Sequence, residues 1–338
     1  MMNDSAEIGV ILENITIGYK GAEPLIHQAN AKLNNGEIIA LAGRNGAGKT
    51  SLLRCLNGQM DPLEGSVRIN KIPAMKLSNR SKAFTISYVS AGNNWTENLT
   101  VLELVSLGRY PYTNWWGRLR EEDRTIVKKA LHFVGMEMFE EAGVHKLSDG
   151  ERQRVMIARA LAQDTPILIL DEPMAFLDIP NRYGIMEVLT SMKSLGKSIL
   201  FSTHDIETAS RFADKFWVIH DRDLIEGGTE DLGLRGVFNE LFQDQHLYFD
   251  KHTMQYKSPV EETRSIYLES SDQECYLWTE RALQRAGYSV LRNKGETDLQ
   301  CHATRSNGGN CEWNLFASNR SFSFQTIYAL LHYLTRIE

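Results

Sequence analysis

No uncharged apolar stretch in the 338-residue sequence approaches the roughly 18 residues that a membrane-spanning helix needs, so any membrane role must run through a partner. Cysteine is scarce. Cys55, Cys275, Cys301 and Cys311 are irregularly spaced and lack the paired pattern of zinc ligands, even with His302 and His332 nearby, and reduced thiols are expected. An excess of basic residues is also missing: 37 Lys and Arg stand against 43 Asp and Glu, a formal net charge of −6. That balance argues against a general nucleic-acid binder, which needs a basic stripe to neutralise phosphates, and leaves room only for a local basic patch. Residues Met1 to Glu7 are acidic and polar where a secretory leader needs basic and then apolar residues, so the chain is expected to stay in the cytosol. Neither an internal repeat nor a low-complexity tract interrupts it.

Hydrophobic residues at 42% and charged residues at 24% match a globular protein with a substantial core, and the length predicts two units. Residues 7 to 19 have the β-branched content of a strand pair, and Ile38 to Leu41 is a short apolar run followed by glycines and then helical periodicity from Thr50 to Asn57. Helices with acidic first turns, as in Glu121-Glu122-Asp123, mark a helical insertion at about residues 92–160. Strands at Ile167–Leu170 and Ser198–Ser202 flank a helix between Asn181 and Leu195. Strands alternating with helices indicate an α/β fold with a mostly parallel sheet, whose ligands collect at the carboxyl ends of its strands. A polar stretch with Pro259, Lys251 to Glu262, reads as a linker that separates residues 1–255 from a small α/β domain at 256–338. In that domain a strand (Arg264–Glu269), a helix (Gln273–Ala286), a strand (Tyr288–Leu291) and a closing helix (Phe322–Leu334) are expected.

The chemistry concentrates in four segments. Gly43-Arg44-Asn45-Gly46-Ala47-Gly48-Lys49-Thr50, with Ser51 behind it, lies between a strand and a helix, the context of a phosphate-binding loop. Its glycines let successive N–H groups face a polyphosphate, Lys49 reaches the terminal phosphates and the Thr50 hydroxyl is placed for Mg²⁺. Ile167-Leu-Ile-Leu170-Asp171-Glu172 sets two carboxylates at the end of a buried strand. Burying such a pair is costly unless a metal or an activated water sits beside it, which suggests Asp171 for Mg²⁺ and Glu172 as general base. Leu147-Ser148-Asp149-Gly150-Glu151-Arg152-Gln153 opens a helix and forms a second anion cradle, although alone it is only a capped helix. Ser202-Thr203-His204-Asp205 follows an apolar strand; a histidine standing alone would be read as a core residue.

Taken in order within residues 7 to 230, these four segments resemble the ATP-binding-cassette (ABC) ATPases, P-loop NTPases with an antiparallel β subdomain and a helical subdomain. The resemblance implies ATP and Mg²⁺ as cofactors and two copies facing each other, so that Ser148 and Gly150 of one complete the ATP site of the other. It further implies that Tyr19 stacks on adenine, that Asp178 lies in the loop crossing the dimer interface, and that His204 contacts the γ-phosphate. Val101 to Tyr112 and the aromatics Tyr110, Tyr112, Trp115 and Trp116 look like the importer branch that takes up iron chelates, haem or cobalamin. Such a cluster is either core of the helical insertion or an exposed patch that receives a membrane permease, and the second reading is preferred. Permease subunits, and indirectly an extracytoplasmic substrate-binding protein, are then the partners, with the chain peripheral on the inner face of the cell membrane.

Departures from the family pattern are specific. Between Tyr88 and Thr100, where the family has a glutamine, stand Ser90-Ala91-Gly92-Asn93-Asn94, and Ser90, Asn93 or a water is expected to fill the gap. Asp149 replaces the usual signature glycine, and Met174-Ala175 a common Thr-Ser pair. The rival readings are a soluble cassette ATPase without a permease, of the iron–sulfur assembly or nucleic-acid repair kind, and an ATP-sensing binder with little turnover. A GTPase fails because Asn70-Lys71-Ile72-Pro73 lacks the guanine-reading Asp. The last 80 or so residues lie outside the family core, and their role stays open.

Overall fold

The structure is a computed structural model that describes residues 9–91, 98–114, 117–242, 247–251, 253–259, 264–293, 297–305, 311–317 and 320–336. Its contacts divide the chain into two units, Met1–Lys257 and Ser258–Glu338.

The first unit is built on a six-stranded sheet in the order β10-β9-β3-β8-β7-β6, comprising β3 (Ile38–Gly43), β6 (Ile86–Val89), β7 (Ile167–Leu170), β8 (Ser198–Thr203), β9 (Lys215–His220) and β10 (Asp223–Gly228). All neighbours are parallel except β10, which returns antiparallel to β9. Strands β3, β7 and β8 are buried at every position. The apolar runs Ile38–Ala42, Ile167–Leu170 and Ile199–Phe201 follow from that, because a parallel sheet is covered on both faces. The two-residue period divides them cleanly. Ile38, Ala40, Ala42, Leu168 and Leu170 face one core, whereas Ile39, Leu41, Ile167 and Ile169 face the other.

The first core is closed by helices α3 (Val101–Ser106), α4 (Glu121–Phe133), α5 (Asp149–Ala162) and α6 (Ile179–Ser194), through Val105, Leu131, Ile157 and Leu189. The second is closed by α1 (Lys49–Leu56) and by an antiparallel sheet of β1 (Val10–Ile17), β2 (Ile26–Leu33), β4 (Glu64–Ile69) and β5 (Ile72–Pro73). Of the segment 7 to 19, the described residues 9 to 19 contribute one strand and not the expected pair. Asn14, at φ +46°, shifts the β1–β2 register between Leu12 and Ile15 but does not turn the chain back. Short helices α2 (Asn79–Ala83), α7 (Ile206–Ser210), α8 (Thr229–Arg235) and α9 (Val237–Glu240) complete this unit. The stretch read as a linker also holds structure: β12 (Gln255–Lys257) pairs with β11 (Tyr248–Asp250), and the Tyr256 hydroxyl donates to the Phe238 carbonyl.

A buried ion pair fastens the helical insertion. Arg109 and Asp123 are 5% and 4% exposed, with Nη2 and Nε each 2.9 Å from Asp123 Oδ1. Nη1 donates to the Ala162 carbonyl at the end of α5, and the guanidinium lies 3.6 Å from the centroid of the Tyr112 ring. The aromatic cluster is thus divided. Tyr112 is packed, its hydroxyl donating to the Gln163 carbonyl, while Tyr110 is 74% exposed. Trp115 and Trp116 lie outside the described residues.

In the second unit a five-stranded sheet runs β14-β13-β15-β16-β17, from β13 (Arg264–Ser270), β14 (Tyr288–Leu291), β15 (Leu299–Arg305), β16 (Cys311–Ala317) and β17 (Arg320–Phe324). Strand β13 is parallel to both neighbours and the remaining pairs are antiparallel. Helices α10 (Gln273–Arg285) and α11 (Ile327–Leu334) contribute Leu283, Leu330 and Leu334 to a core around Ile266, Leu268 and Leu315. The helix expected over Phe322–Leu334 is shorter at its start, because Arg320–Phe324 extends along β16 and Thr326 caps α11. The expectation of four reduced thiols is corrected here. The fold brings Cys275, in the first turn of α10, against Cys311 at the start of β16, and the two form a disulfide with Cα atoms 6.4 Å apart. Cys55 and Cys301 are free and buried. Among the described residues, no helix is long and apolar enough to cross a membrane.

Candidate functional site

The phosphate loop leaves the carboxyl end of β3 and becomes α1 within six residues. Gly46 and Gly48 have φ of +80° and +105°, a region that side chains rarely adopt, and a Cβ on Gly48 would stand 3.0 Å from that of Leu25. Gly48 is also the N-cap of α1 and supplies no side-chain cap, so the first-turn N–H groups keep their capacity for an anion. Lys49 is 7% exposed, with Nζ donating to the Gly43 carbonyl at 2.8 Å and to that of Arg44 at 3.4 Å. Thr50 and Ser51 follow in the first turn, Thr50 half-buried and Ser51 buried, while Arg44, Asn45 and Ala47 form the outer wall of the loop beside a cavity of about 480 Å³.

Strand β7 delivers the two acids to the same place. Asp171 is 3% exposed, its N–H donating to the Val89 carbonyl and its Oδ1 accepting from Ser202 Oγ at 2.6 Å. Glu172 turns out of the strand at φ +49°. Its Oε1 lies 3.6 Å from Lys49 Nζ, and its Oε2 accepts from His204 Nδ1 at 2.9 Å. A carboxylate offers only acceptors, so Nδ1 carries the proton in this contact. His204 stands at the end of β8, directly beside β7, which explains why a histidine distant in sequence reaches Glu172. Asp205 caps α7 and pairs with Arg182 of α6 at 3.0 Å, anchoring the turn that carries His204.

Ser148 and Gly150 belong to a second cluster. Ser148 caps α5 in a reciprocal box with Glu151, and the Ser148 backbone and hydroxyl hold the Glu151 carboxyl below its ordinary range. Gly150 packs so closely on α6 that a Cβ would lie 2.7 Å from Asn181 Cγ. Asn181 is in turn bound by Asp178, whose carboxylate caps α6. Tyr19, just past β1, is 58% exposed. The structure thus brings Lys49, Asp171, Glu172 and His204 together, and separately joins Gly150 to the start of α6.

Ser90 is exposed at the end of β6, on a cavity of about 690 Å³ lined also by Arg54, Tyr88, Arg159 and Gln163. Asn93 lies outside the described residues. Two contacts escaped sequence reasoning: the Ser202 hydroxyl on Asp171, and the Tyr88 phenol, which burial and the neighbouring Asp171 carboxylate push up to about 12. A serine or tyrosine in an apolar strand carries no signal of its own; only the pairing of β6, β7 and β8 reveals them.

Comparison with known proteins supplies a separate line of evidence. The ABC transporter family model matches residues 26–175, and the iron ABC transporter C-terminal domain matches residues 263–335. The chain is similar to the achromobactin transport ATP-binding protein CbrD of Dickeya dadantii, 36% identical over 231 residues that cover 67% of this chain and 86% of that one. It is likewise similar to the iron(3+)-hydroxamate import ATP-binding protein FhuC of Bacillus subtilis, 35% identical over 244 residues, or 71% and 90% of the two chains. Among solved structures, cbiO1 of Clostridium perfringens, part of the ABC transporter complex cbiONQ, has a TM-score of 0.61 at 27% identity, covering 71% of this chain and 96% of that one. The dimeric cassette MJ0796 has a TM-score of 0.59 at 30% identity, covering 65% and 98%. Identity above a third, sustained over most of each relative's length, leads to one conclusion: the chain belongs to the ABC transporter family, among its ATP-binding proteins.

Proposed function

We propose that this ATPase works as the energy-supplying subunit of an importer for an iron chelate, with two copies acting on membrane permease subunits at the inner face of the cell membrane. The observation that carries the reading is the convergence of Lys49, Glu172 and His204 at the end of a buried sheet, beside a loop whose backbone suits a polyphosphate. The loop N–H groups and Lys49 hold the terminal phosphates of ATP, Glu172 accepts a proton from the attacking water, and His204 orients the Glu172 carboxylate. The donor set fits Mg²⁺, since Thr50 offers a hydroxyl and Asp171 a buried carboxylate, both hard oxygen ligands. When bound, Mg²⁺ would be held by these two residues and would offset charge on the phosphates. Tyr19 is exposed and free to stack on the base. Ser148 and Asp178 are exposed at the starts of α5 and α6, with Gly150 buried between them, and in a paired arrangement this edge would close the partner copy's nucleotide site.

The import and transport names of CbrD and FhuC, together with the iron ABC C-terminal match, favour an iron-chelate importer over a permease-free ATPase. An extracytoplasmic binding protein would deliver the cargo to the permease. Tagged full-length chain should copurify with permease subunits from solubilised membranes, and cells lacking it should lose uptake of an iron chelate while uptake of haem and cobalamin persists. Loss of haem or cobalamin uptake alone would reassign the cargo, and purification without any membrane protein would sink the importer reading.

A further inference from the structure

Two residues before His204, strand β8 carries a side chain with no role in the reading above. Ser202 is fully buried, preceded by Ile199, Leu200 and Phe201, which are fully buried as well. A hydroxyl in such surroundings is costly unless both its donor and its acceptor capacity are used. Both are used here, and on consecutive residues of the acid pair: Ser202 Oγ donates to Asp171 Oδ1 at 2.6 Å and accepts the Glu172 N–H at 2.8 Å. The backbone explains why Glu172 needs such an anchor. Its φ of +49° lies in the left-handed region, which a residue with a Cβ occupies only when its surroundings hold it there. Ser202 holds the N–H side of that turn, and the Ala175 N–H, donating to the Glu172 carbonyl at 3.1 Å, holds the other. The same oxygen fixes the rotation of the Asp171 carboxylate, leaving Oδ2 as the oxygen for other partners.

We propose that Ser202 is a positioning residue for the ATPase reaction, one hydroxyl that sets the rotation of the Asp171 carboxylate and the backbone turn of Glu172 at the same time. The inference rests on the reading of Asp171 as the metal-holding acid and Glu172 as the water-polarising one. It distinguishes Ser202 from a packing residue, because a methyl group fills most of the same volume and supplies neither bond. Removing the hydroxyl leaves a buried carboxylate oxygen without its donor and a strained N–H without its acceptor.

The test uses the purified full chain with Ser202→Ala and Ser202→Thr, and with Glu172→Gln in parallel. Phosphate release is followed against ATP and Mg²⁺, and equilibrium binding of a fluorescent ATP analogue is measured with Mg²⁺ and with EDTA. Ser202→Ala should lower kcat about 10- to 100-fold and reduce the Mg²⁺-dependent gain in nucleotide affinity by a similar factor, the usual effect of losing a partner that orients a metal-binding carboxylate. Binding in EDTA, which depends on the loop at Gly43 to Thr50, should stay within about 3-fold, and Ser202→Thr should restore kcat and the Mg²⁺ effect to within about 3-fold. If alanine prevents folding, Ser202→Cys takes its place with the same expectation, since a thiol bonds weakly at nearly equal volume. Wild-type kcat and Mg²⁺ dependence in Ser202→Ala would overturn the proposal. So would an equal loss of binding in EDTA, or a folded threonine variant that rescues nothing. Full activity in Glu172→Gln would remove the reading of the acid pair itself, whereas an inactive Glu172→Gln beside a normal Ser202→Ala would remove the Ser202 proposal alone.

Discussion

Replacing Arg109 with alanine should damage the ATPase unit more than any substitution at its surface. The guanidinium makes two 2.9 Å contacts with Asp123 Oδ1, a third with the Ala162 carbonyl, and covers the Tyr112 ring, all with about 5% of its surface exposed. Alanine leaves Asp123 as a carboxylate that is 4% exposed, bonded by the Arg120 N–H but without its cation. Breaking a buried pair from one side in this way costs about 3–5 kcal/mol. At about 2–4 °C per kcal/mol for a unit of this size, the melting temperature should fall by about 6–20 °C. Calorimetry of the full chain checks this, and Arg109→Leu with Asp123→Leu should recover most of the loss because neither charge is then buried. Acid titration adds a second signature. Burial opposes ionisation of Asp123, but the Arg120 N–H and the Arg109 guanidinium override it and hold the carboxyl below its ordinary range. The group therefore stabilises the fold above the ordinary aspartate range and loses that contribution as pH falls through the depressed value. Wild type should lose stability more steeply than Arg109→Ala below about pH 4. Melting of Arg109→Ala within about 2 °C of wild type would show that the buried pair contributes little to stability.

Lys49→Ala removes the ammonium that bridges the loop carbonyls and Glu172, and phosphate release should fall at least about 100-fold; a smaller loss would show that phosphate charge is stabilised elsewhere. Gly150→Ala places a methyl 2.7 Å from Asn181 Cγ, so the Asn181 amide must turn aside; the end of a side chain can do so at a cost below about 1 kcal/mol in urea titrations, and a larger loss would show that the amide is held in place. The disulfide closes a loop between residues 36 apart, so Cys275→Ser should lower the stability of the C-terminal unit by about 3–4 kcal/mol, and a melting profile insensitive to reductant would argue against the bond. Burial pushes the thiol of Cys301 up to about 12 and that of Cys55 up to about 11. Both groups favour the folded state below the ordinary thiol range and lose that effect as pH rises through these values, so stability should decline from about pH 9 upward. Alkylation of both thiols at pH 8 should require unfolding, and rapid labelling of the native chain would contradict their burial.

Three strands of the core sheet and the glycine loop were legible because each is written locally, whereas β6, β9 and β10 were not read from the sequence. The apolar runs at Ile38, Ile167 and Ser198 are too short for helices and rich in β-branched residues, which favours strands covered on both faces, and the glycine loop needs its spacing whatever surrounds it. Contacts formed between distant segments were not legible. Nothing near Cys275 announces Cys311, and nothing in Ser202 announces Asp171 until β7 and β8 lie side by side. The C-terminal unit shows the same limit in another form. Arg320–Phe324 is too short and too exposed to separate a strand from the helix that follows, and its pairing along β16 decides the matter. Residues 7 to 19 were ambiguous for the opposite reason, since a long β-branched run fits one strand with an irregular register as well as two.

In the proposed reaction Glu172, held between Lys49 and His204, polarises the water that cleaves ATP, and this cleavage drives uptake. Phosphate release by the full chain assembled with its permease partners, compared between wild type and Glu172→Gln, tests it most directly. Glu172→Gln should bind ATP normally while hydrolysis falls at least about 100-fold and iron-chelate uptake stops with it. Hydrolysis and uptake at the wild-type rate in that variant would contradict it.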